Sequence, residues 1–158
     1  MELGKTSVGL KTLGVETLAV VASPVDRARL YFKYRSVPIA TAADPDLLTH
    51  RAFGVPSAPL TPATHDVVEA AAVTLAGEIG VPVEAGQAYA AIDRLDGFEL
   101  VEADAADMQR HQAQFTGEFL VDRAGVVRWV NIEGARDGAA GFGRLATDEE
   151  LTAAARQL

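Results

Sequence analysis

Cysteine is absent from this sequence of 158 residues. Without a thiol the chain forms no disulfide framework and offers no thiolate ligand to a zinc ion. It also has no thiol nucleophile, because the thiolate is the reacting species in peroxide reduction and disulfide exchange. Thiol chemistry is therefore excluded before any other pattern in the sequence is considered.

Long apolar runs and basic clusters are also missing. No run approaches the ~20 apolar residues that a membrane span needs, and residues 1–7 are too polar for the core of a signal peptide. The net charge is −8 and the pI is about 4.8, which disfavours a phosphate backbone or an anionic lipid as partner. We expect a cytoplasmic protein that binds neither nucleic acid nor a membrane.

The composition that remains is typical of a globular protein. Hydrophobic residues make up 49% of the chain and charged residues 23%, so the chain is not expected to be disordered. A length of 158 residues is enough for one sizeable core. Residues 1–158 are therefore predicted to form a single domain.

Strands and helices alternate in the first part of the chain. The predicted elements are a helix at 5–13, a strand at 15–22, a helix at 24–34, a strand at 37–41 and a helix at 44–53. Ser23 and Pro24 predict an N-cap and a first helical position, and Pro38 places the second strand at a sheet edge or at its own start. The alternation predicts an α/β fold with parallel strands.

Residues 57–113 show a different pattern, which predicts a helical insertion within the domain. Ser57–Pro62 is a proline-rich connector. Helical patterns follow at Val67–Ile79 and at Glu84–Leu95, and a third short helix is predicted from a cap at Asp104 to Ala113.

Phe115–Glu133 is the most informative segment. Two runs of strand-forming residues flank Asp122–Gly125, a polar turn that suits a type I turn with glycine in the left-handed region. The segment therefore predicts a β-hairpin. A glycine-rich loop follows, and a last helix is predicted at 148–158, where Thr147 and Glu150 form a capping box.

In this order the elements resemble the thioredoxin-like fold of the redoxins, and the AhpC/TSA (peroxiredoxin-like) family in particular. The resemblance covers about residues 13–56 and 114–158. Asp44–Asp46 and Phe53–Pro56 resemble the redoxin stretch in which an edge strand ends in Asp and a short helix ends in an aromatic-Gly-Val turn. Gly117–Arg128 resembles the redoxin pattern of Gly-x-Phe, two aliphatic residues, Asp-x-x-Gly, an aliphatic pair and Arg. The resemblance implies a three-layer thioredoxin-like fold and kinship with oxidoreductases.

Three departures from that family bear on function. The family's reactive cysteine lies at the start of a helix that follows a central strand, and this chain lacks both. Gln114–Gly117 stands where thioredoxins have a cis-proline and peroxiredoxins have an arginine nearby. The missing strand would lie between the strands at 15–22 and 117–122, whose edges would be left unpaired. We expect either the remainder of a longer, N-terminally truncated redoxin-like protein or a chain that borrows a strand from a partner.

Candidate site residues are few. No catalytic residue, metal or cofactor is expected. A binding role is assigned only to the loop before the hairpin, formed by Phe115, Thr116 and Gly117. The spacing of His50, His65 and His111 matches no metal motif, and we interpret these histidines as surface or structural residues. Gly134–Gly143 lacks the lysine and the immediate helix of a phosphate loop, which favours a flexible connector.

Two hypotheses of function follow. The first is a redoxin-family protein, related to thiol-dependent peroxidases and thiol–disulfide oxidoreductases, that is catalytically inactive as this cysteine-free chain. The second is a non-enzymatic interaction domain whose exposed sheet edges pair with a strand of a partner or of a second copy, giving a homo-oligomer.

Overall fold

The computed structural model describes residues 2–84, 86–97 and 99–158, and the chain has a mixed α/β fold. It divides into two compact units. The first comprises the chain up to Gly54, Thr116–Ile132 and Leu145–Leu158; the second comprises Val55–Phe115 and Glu133–Arg144. The predicted insertion at 57–113 falls within the second unit, while the grouping of residues 1–158 as one domain stays a prediction.

A strand–helix–strand arrangement opens the first unit, after helix α1. The elements are α1 (Glu2–Thr12), β1 (Leu18–Val21), α2 (Val25–Tyr34), β2 (Ala40–Ala43) and α3 (Leu48–Ala52). β1 and β2 are parallel, with Leu18 opposite Ala40 and Val21 opposite Ala43. The predicted parallel strands are therefore confirmed, although each is only four residues long.

Two boundaries differ from the prediction for local reasons. The N-cap of α2 is Pro24 and not Ser23, and no side chain caps this helix; the Ser23 hydroxyl donates to the Pro24 carbonyl at 3.5 Å. β2 begins at Ala40, after Pro38. Pro38 has no N–H to donate to a ladder, so the strand forms only beyond it.

The predicted hairpin is present in the first unit. β5 (Gly117–Val121) and β6 (Val127–Ile132) are antiparallel, with a register irregularity between Leu120 and Val121. The Asp122 carboxylate accepts hydrogen bonds from the N–H groups of Ala124 and Val126, both at 2.9 Å, and from Arg128 Nε at 2.7 Å. Gly125 has φ +80°, the left-handed value that this turn requires.

The last helix, α7 (Asp148–Ala155), begins at the predicted capping box. The Glu150 N–H donates to Thr147 Oγ1 at 3.2 Å, and the Thr147 N–H donates to Glu150 Oε2 at 2.8 Å. The helix carries Leu151 and Ala155 into the core of the first unit, where they are buried with Leu10 of α1 and Leu120 of β5. Val15, Trp129, Ala146 and Ala154 surround this cluster.

In its described residues the second unit contains three α-helices, two short 3-10 helices and a short strand pair. Its helices are α4 (Pro62–Glu78), α5 (Ala88–Asp93) and α6 (Glu102–His111). β3 (Ser57–Ala58) and β4 (Ala113–Gln114) pair antiparallel. The sequence missed both strands, because two residues are too few to show a period.

The helices of the second unit begin at other residues than predicted. α4 starts at Pro62, with Thr61 Oγ1 accepting from the Thr64 N–H at 3.1 Å. α6 starts two residues before Asp104, whose carboxylate accepts from the Val101 N–H at 2.9 Å. Asp104 therefore lies within the first turn of α6, and its carboxylate binds the N–H of the N-cap residue Val101. The prediction of a helix at 84–95 includes Ala85, which lies outside the described residues.

An aromatic pair forms part of the core of the second unit. Phe115 is 6% exposed, and its ring meets that of Phe142 edge-on, with ring centroids 5.6 Å apart. Gly134 lies against Phe115 with φ +69°, and a Cβ at this position would be 2.5 Å from Phe115 Cε2 and 2.8 Å from the Gly138 carbonyl oxygen. Only glycine adopts this positive φ without strain and also leaves room for the Phe115 ring.

Within the described residues the strands form three separate two-stranded sheets, β1–β2, β3–β4 and β5–β6. No hydrogen-bonded pair of strands joins β1–β2 to β5–β6 there. The mixed α/β class is therefore established, whereas the thioredoxin-like arrangement stays a prediction.

None of the described helices is both long enough and apolar enough to cross a lipid bilayer.

Gly134→Ala should destabilise the protein by more than Gly138→Ala. Gly138 has φ +57° in the same loop, and nothing lies within 4 Å of the position that a methyl group would take there, so its substitution carries only the left-handed strain of about 1–2 kcal/mol. Gly134→Ala adds overpacking against Phe115, about 1–3 kcal/mol more. Urea unfolding followed by far-UV circular dichroism measures both. Equal destabilisation of the two variants would contradict the close packing of Gly134.

Candidate functional site

The predicted binding loop does not form one surface. The boundary between the two compact units falls between Phe115 and Thr116. Phe115 is buried in the second unit, and its N–H donates to the Pro56 carbonyl at 3.2 Å. Thr116 is exposed, and Gly117 is the first residue of β5. Phe115 is therefore a buried residue of the second unit, and the binding role of the three residues stays a prediction.

The glycine-rich loop is tied to the second unit by a buried carboxylate. Glu133 is 4% exposed, and its Oε1 accepts a hydrogen bond from the Gly143 N–H. The Gly138 N–H donates to the Gly134 carbonyl at 2.8 Å, and Arg144 pairs with Asp137 at 3.1 Å. These bonds argue against the flexible connector expected from the sequence. The Gly143 N–H is bound by this side chain and is therefore not open to a phosphate oxygen.

The Asp44 carboxylate accepts several hydrogen bonds in the first unit. It follows β2 directly and is 8% exposed. Its Oδ1 accepts from the Leu48 N–H at 2.9 Å, and its Oδ2 accepts from the Thr49 N–H at 2.8 Å and from the Thr49 hydroxyl. The hydroxyl of Thr49, followed by the two backbone N–H groups, lowers the pKa of Asp44 far below its ordinary value. This carboxyl group is therefore ionised throughout the physiological range.

His50 lies beside this carboxylate. Its Nδ1 is 3.5 Å from Asp44 Oδ2, and its side chain is 15% exposed. A carboxylate in this position favours the tautomer that carries the proton on Nδ1. A histidine–carboxylate pair activates a nucleophile only when a third group lies within hydrogen-bond reach. The described contacts give His50 no such group, so the pair as it stands orients an imidazole and has no complete catalytic set.

The same carboxylate holds an unusual turn at the start of α3. Leu47 has φ +56° and ψ +32°, a left-handed conformation that a β-carbon disfavours. The Leu47 N–H donates to the Asp44 carbonyl at 3.1 Å, and the Asp44 N–H donates to the Val21 carbonyl at 2.8 Å. The sequence predicted that Asp44–Asp46 opens a helix; the helix in fact begins at Leu48, and Asp44 caps it from four residues before.

The three histidines do not come together as a metal site. His50 pairs with Asp44, His65 is exposed on α4, and His111 is buried at the end of α6. Among the described residues no group of three His, Cys, Asp or Glu side chains is arranged to hold a metal ion. The sequence-based interpretation of these histidines as surface or structural residues stays a prediction.

Comparisons with protein-family models, with curated proteins and with solved structures find no match to this chain.

Asp44→Asn should remove part of the acid-induced loss of stability. A carboxyl group whose pKa is lowered by folding stabilises the protein above its unfolded pKa, near 4, and this contribution is lost as the pH falls through the lower folded value. The asparagine variant should be less stable than the wild type at neutral pH and should lose less stability below about pH 4. Thermal unfolding measured from neutral to acid pH tests both points.

Thr49→Val serves as the graded control for this carboxylate. It removes the hydroxyl donor that contributes most to the lowered pKa but leaves the two backbone donors in place. The acid-induced loss of stability of Thr49→Val should end at a higher pH than that of the wild type. It should still be steeper than the loss shown by Asp44→Asn. If the stability of all three proteins fell with pH in the same way, the assignment of Asp44 as the stabilising carboxylate would be contradicted.

Proposed function

We propose that this chain is a redoxin-family protein of the AhpC/TSA, thioredoxin-like type that is catalytically inactive. The observation that carries the proposal is the order of pairings in the first unit. Parallel β1–β2 with α2 between them precede the antiparallel hairpin β5–β6, and the capped helix α7 follows. The redoxin resemblance implies this order of elements around a central strand. The lack of cysteine supports the inactive state, because the family's chemistry needs a thiolate.

Contacts between these elements give the proposal further support. Leu10 of α1, Leu120 of β5 and Leu151 of α7 share one buried cluster. Phe53, which caps the C-terminus of α3, meets Phe119 of β5 with ring centroids 4.9 Å apart. Helices preceding and following the strands thus converge on the hairpin. Helices that cover the strands of a hairpin bury the apolar surface of both, as in α/β folds.

A second function is favoured by the separation of the two sheets in the first unit. Each sheet has two strands, and a two-stranded ribbon alone is marginally stable in water. Unpaired edges accept a further strand through main-chain hydrogen bonds. We propose as the alternative that the chain is an interaction domain that takes up an extended strand at β1 or β5, from a partner or from a second copy.

The inactive-redoxin proposal predicts no thiol-dependent turnover. With hydrogen peroxide or an organic hydroperoxide and dithiothreitol, the purified chain should consume peroxide no faster than a protein-free sample, because no thiolate attacks the peroxide. A reductant-coupled absorbance assay with a cysteine-containing peroxidase as positive control measures this. Turnover proportional to the concentration of this protein would contradict the proposal.

Kinship with the redoxins is tested by the genomic sequence upstream of the Met1 codon. An in-frame segment that encodes a strand followed by a cysteine at a helix start would support it and would assign oxidoreductase activity to the longer product. An in-frame stop codon directly upstream would leave the chain a degenerate or non-catalytic member of the family.

The interaction-domain proposal predicts concentration-dependent association or capture of a strand. If a second copy supplies the strand, light scattering should show a dimer at high concentration, and hydrogen exchange of the β1 or β5 amides should slow with it. Leu18→Lys places a charge on the exposed β1 residue (60% exposed) and should weaken association. Leu145→Lys, in a loop of the same unit (54% exposed), is the matched control. Strand uptake would be contradicted if the protein stayed monomeric at all concentrations while the amide hydrogens of β1 and β5 exchanged slowly.

A further inference from the structure

The imidazole of His50 is oriented by a carboxylate that is itself fixed in place. Its Nδ1 is 3.5 Å from Oδ2 of Asp44. The carboxylate is fixed because its Oδ1 accepts from the Leu48 N–H at 2.9 Å and its Oδ2 accepts from the Thr49 N–H at 2.8 Å. A distance of 3.5 Å is long for a hydrogen bond, but the hydrogen bonds of functional histidines are often long until a substrate binds.

The other ring nitrogen of His50 is open. In the described part of the chain no hydrogen bond or ion pair is made to Nε2. With the proton on Nδ1, facing Asp44, the lone pair is on Nε2. The side chain is 15% exposed, so small molecules reach the ring from solvent. His50 therefore offers an unoccupied lone pair at a set orientation.

Such a histidine is itself a nucleophile and needs no third protein group. When Nε2 forms a bond to an electrophilic carbon, positive charge develops on the ring. The ionised Asp44, at 3.5 Å from Nδ1, is placed to offset this charge. His65 is exposed on α4 and has no ion pair with a carboxylate among the described residues. It lacks this stabilisation.

An exposed aromatic ring lies on the same side of α3 as His50. Phe53 is three residues after His50, and its N–H donates to the Thr49 carbonyl at 2.9 Å, so the helical turn extends to it. Residues at this spacing are neighbours on a helix surface. Phe53 is 44% exposed, and its ring centroid is 4.9 Å from that of Phe119. The pair offers an apolar surface beside the nucleophile, which suits an apolar acyl chain.

We propose that His50 accepts acyl groups from phenyl esters of small apolar carboxylic acids, with Asp44 as its positioning residue. The Nε2 lone pair forms a bond to the carbonyl carbon, and the phenolic oxygen leaves with the electron pair of its bond to that carbon. Water then adds to the acyl carbon, and the N–C electron pair returns to Nε2. The carboxylic acid is released, and the second proton of the water passes to the phenolate. The Nδ1 proton stays between His50 and Asp44.

This reaction uses no thiol and is independent of the redoxin kinship, whose proposed inactivity concerns thiol chemistry. A phenol is the required leaving group because imidazole is too weak a nucleophile to displace an alkoxide from an ester.

Labelling with diethyl pyrocarbonate, an acyl donor, tests the nucleophilicity of His50 directly. The three histidines fall in different tryptic peptides, 36–51, 52–94 and 111–123, so mass spectrometry follows each one separately. His50 should be labelled faster than His65, although His65 is the more exposed residue, because Asp44 stabilises the charge on the ring. Labelling of His65 at an equal or higher rate would overturn the proposal, since reactivity would then follow exposure alone.

Hydrolysis of p-nitrophenyl butyrate, followed by the absorbance of p-nitrophenolate, measures turnover. His50→Gln should lower the protein-dependent rate by about tenfold or more, since the remaining histidines lack the oriented carboxylate. His65→Gln is the matched control and should stay within about twofold of the wild type. Far-UV circular dichroism establishes that both variants are folded. Equal losses in the two variants, or a wild-type rate no higher than that of a protein-free sample, would overturn the proposal.

The positioning role of Asp44 has its own spectroscopic signature. Nitrogen-15 NMR of the imidazole should show the Nδ1–H tautomer at His50 in the wild type. In Asp44→Asn the Nε2–H tautomer should gain population and the hydrolysis rate should fall with it, because the lone pair moves away from the substrate side. The Nε2–H tautomer in the wild-type protein would overturn this role, whether or not the variant folds. Phe53→Ala should lower the ratio of the rates with p-nitrophenyl butyrate and p-nitrophenyl acetate, and an unchanged ratio would contradict the apolar surface.

Discussion

Side-chain packing between helices and the hairpin holds the first unit together. The buried cluster of Leu10, Leu120, Leu151 and Ala155 joins three elements that are distant in the sequence. In the described residues no backbone ladder connects β1–β2 with β5–β6; the cluster joins α1 and α7 to the hairpin, and the ring of Phe53, which follows α3, contacts Phe119 of β5. Its members are few and two elements contribute only one side chain each, which makes every one of them important for stability.

Two buried carboxylates organise the backbone where side-chain packing does not. Asp44 holds the left-handed turn at Leu47 and the start of α3, and thereby places Phe53 against the hairpin. Glu133 holds the glycine-rich loop through the Gly143 N–H. In both cases charge-assisted hydrogen bonds to backbone N–H groups replace regular secondary structure. These carboxylates are bound by the fold itself, so neither is available as a free acid or base.

Much of the fold was predictable because its signals are local. The Asp122–Gly125 turn and the Thr147–Glu150 capping box depend on residues within four positions of each other, and both are present as expected. The strands β3 and β4 were missed because their pairing is long-range and each has two residues. The burial of Phe115 was missed for the same kind of reason. Its neighbours Gly134 and Phe142 are close only in the folded chain.

The amino-acid sequence by itself determined that residues 1–158 carry no cysteine thiol, since that depends only on composition. It also determined the hairpin and the start of the terminal helix, which follow from neighbouring residues. Only the tertiary structure decided that Phe115 is a core residue, that His50 lies beside Asp44, and that the strands of the first unit form two sheets. Burial, side-chain pairing and strand pairing depend on residues far apart in the chain, and no local pattern records them.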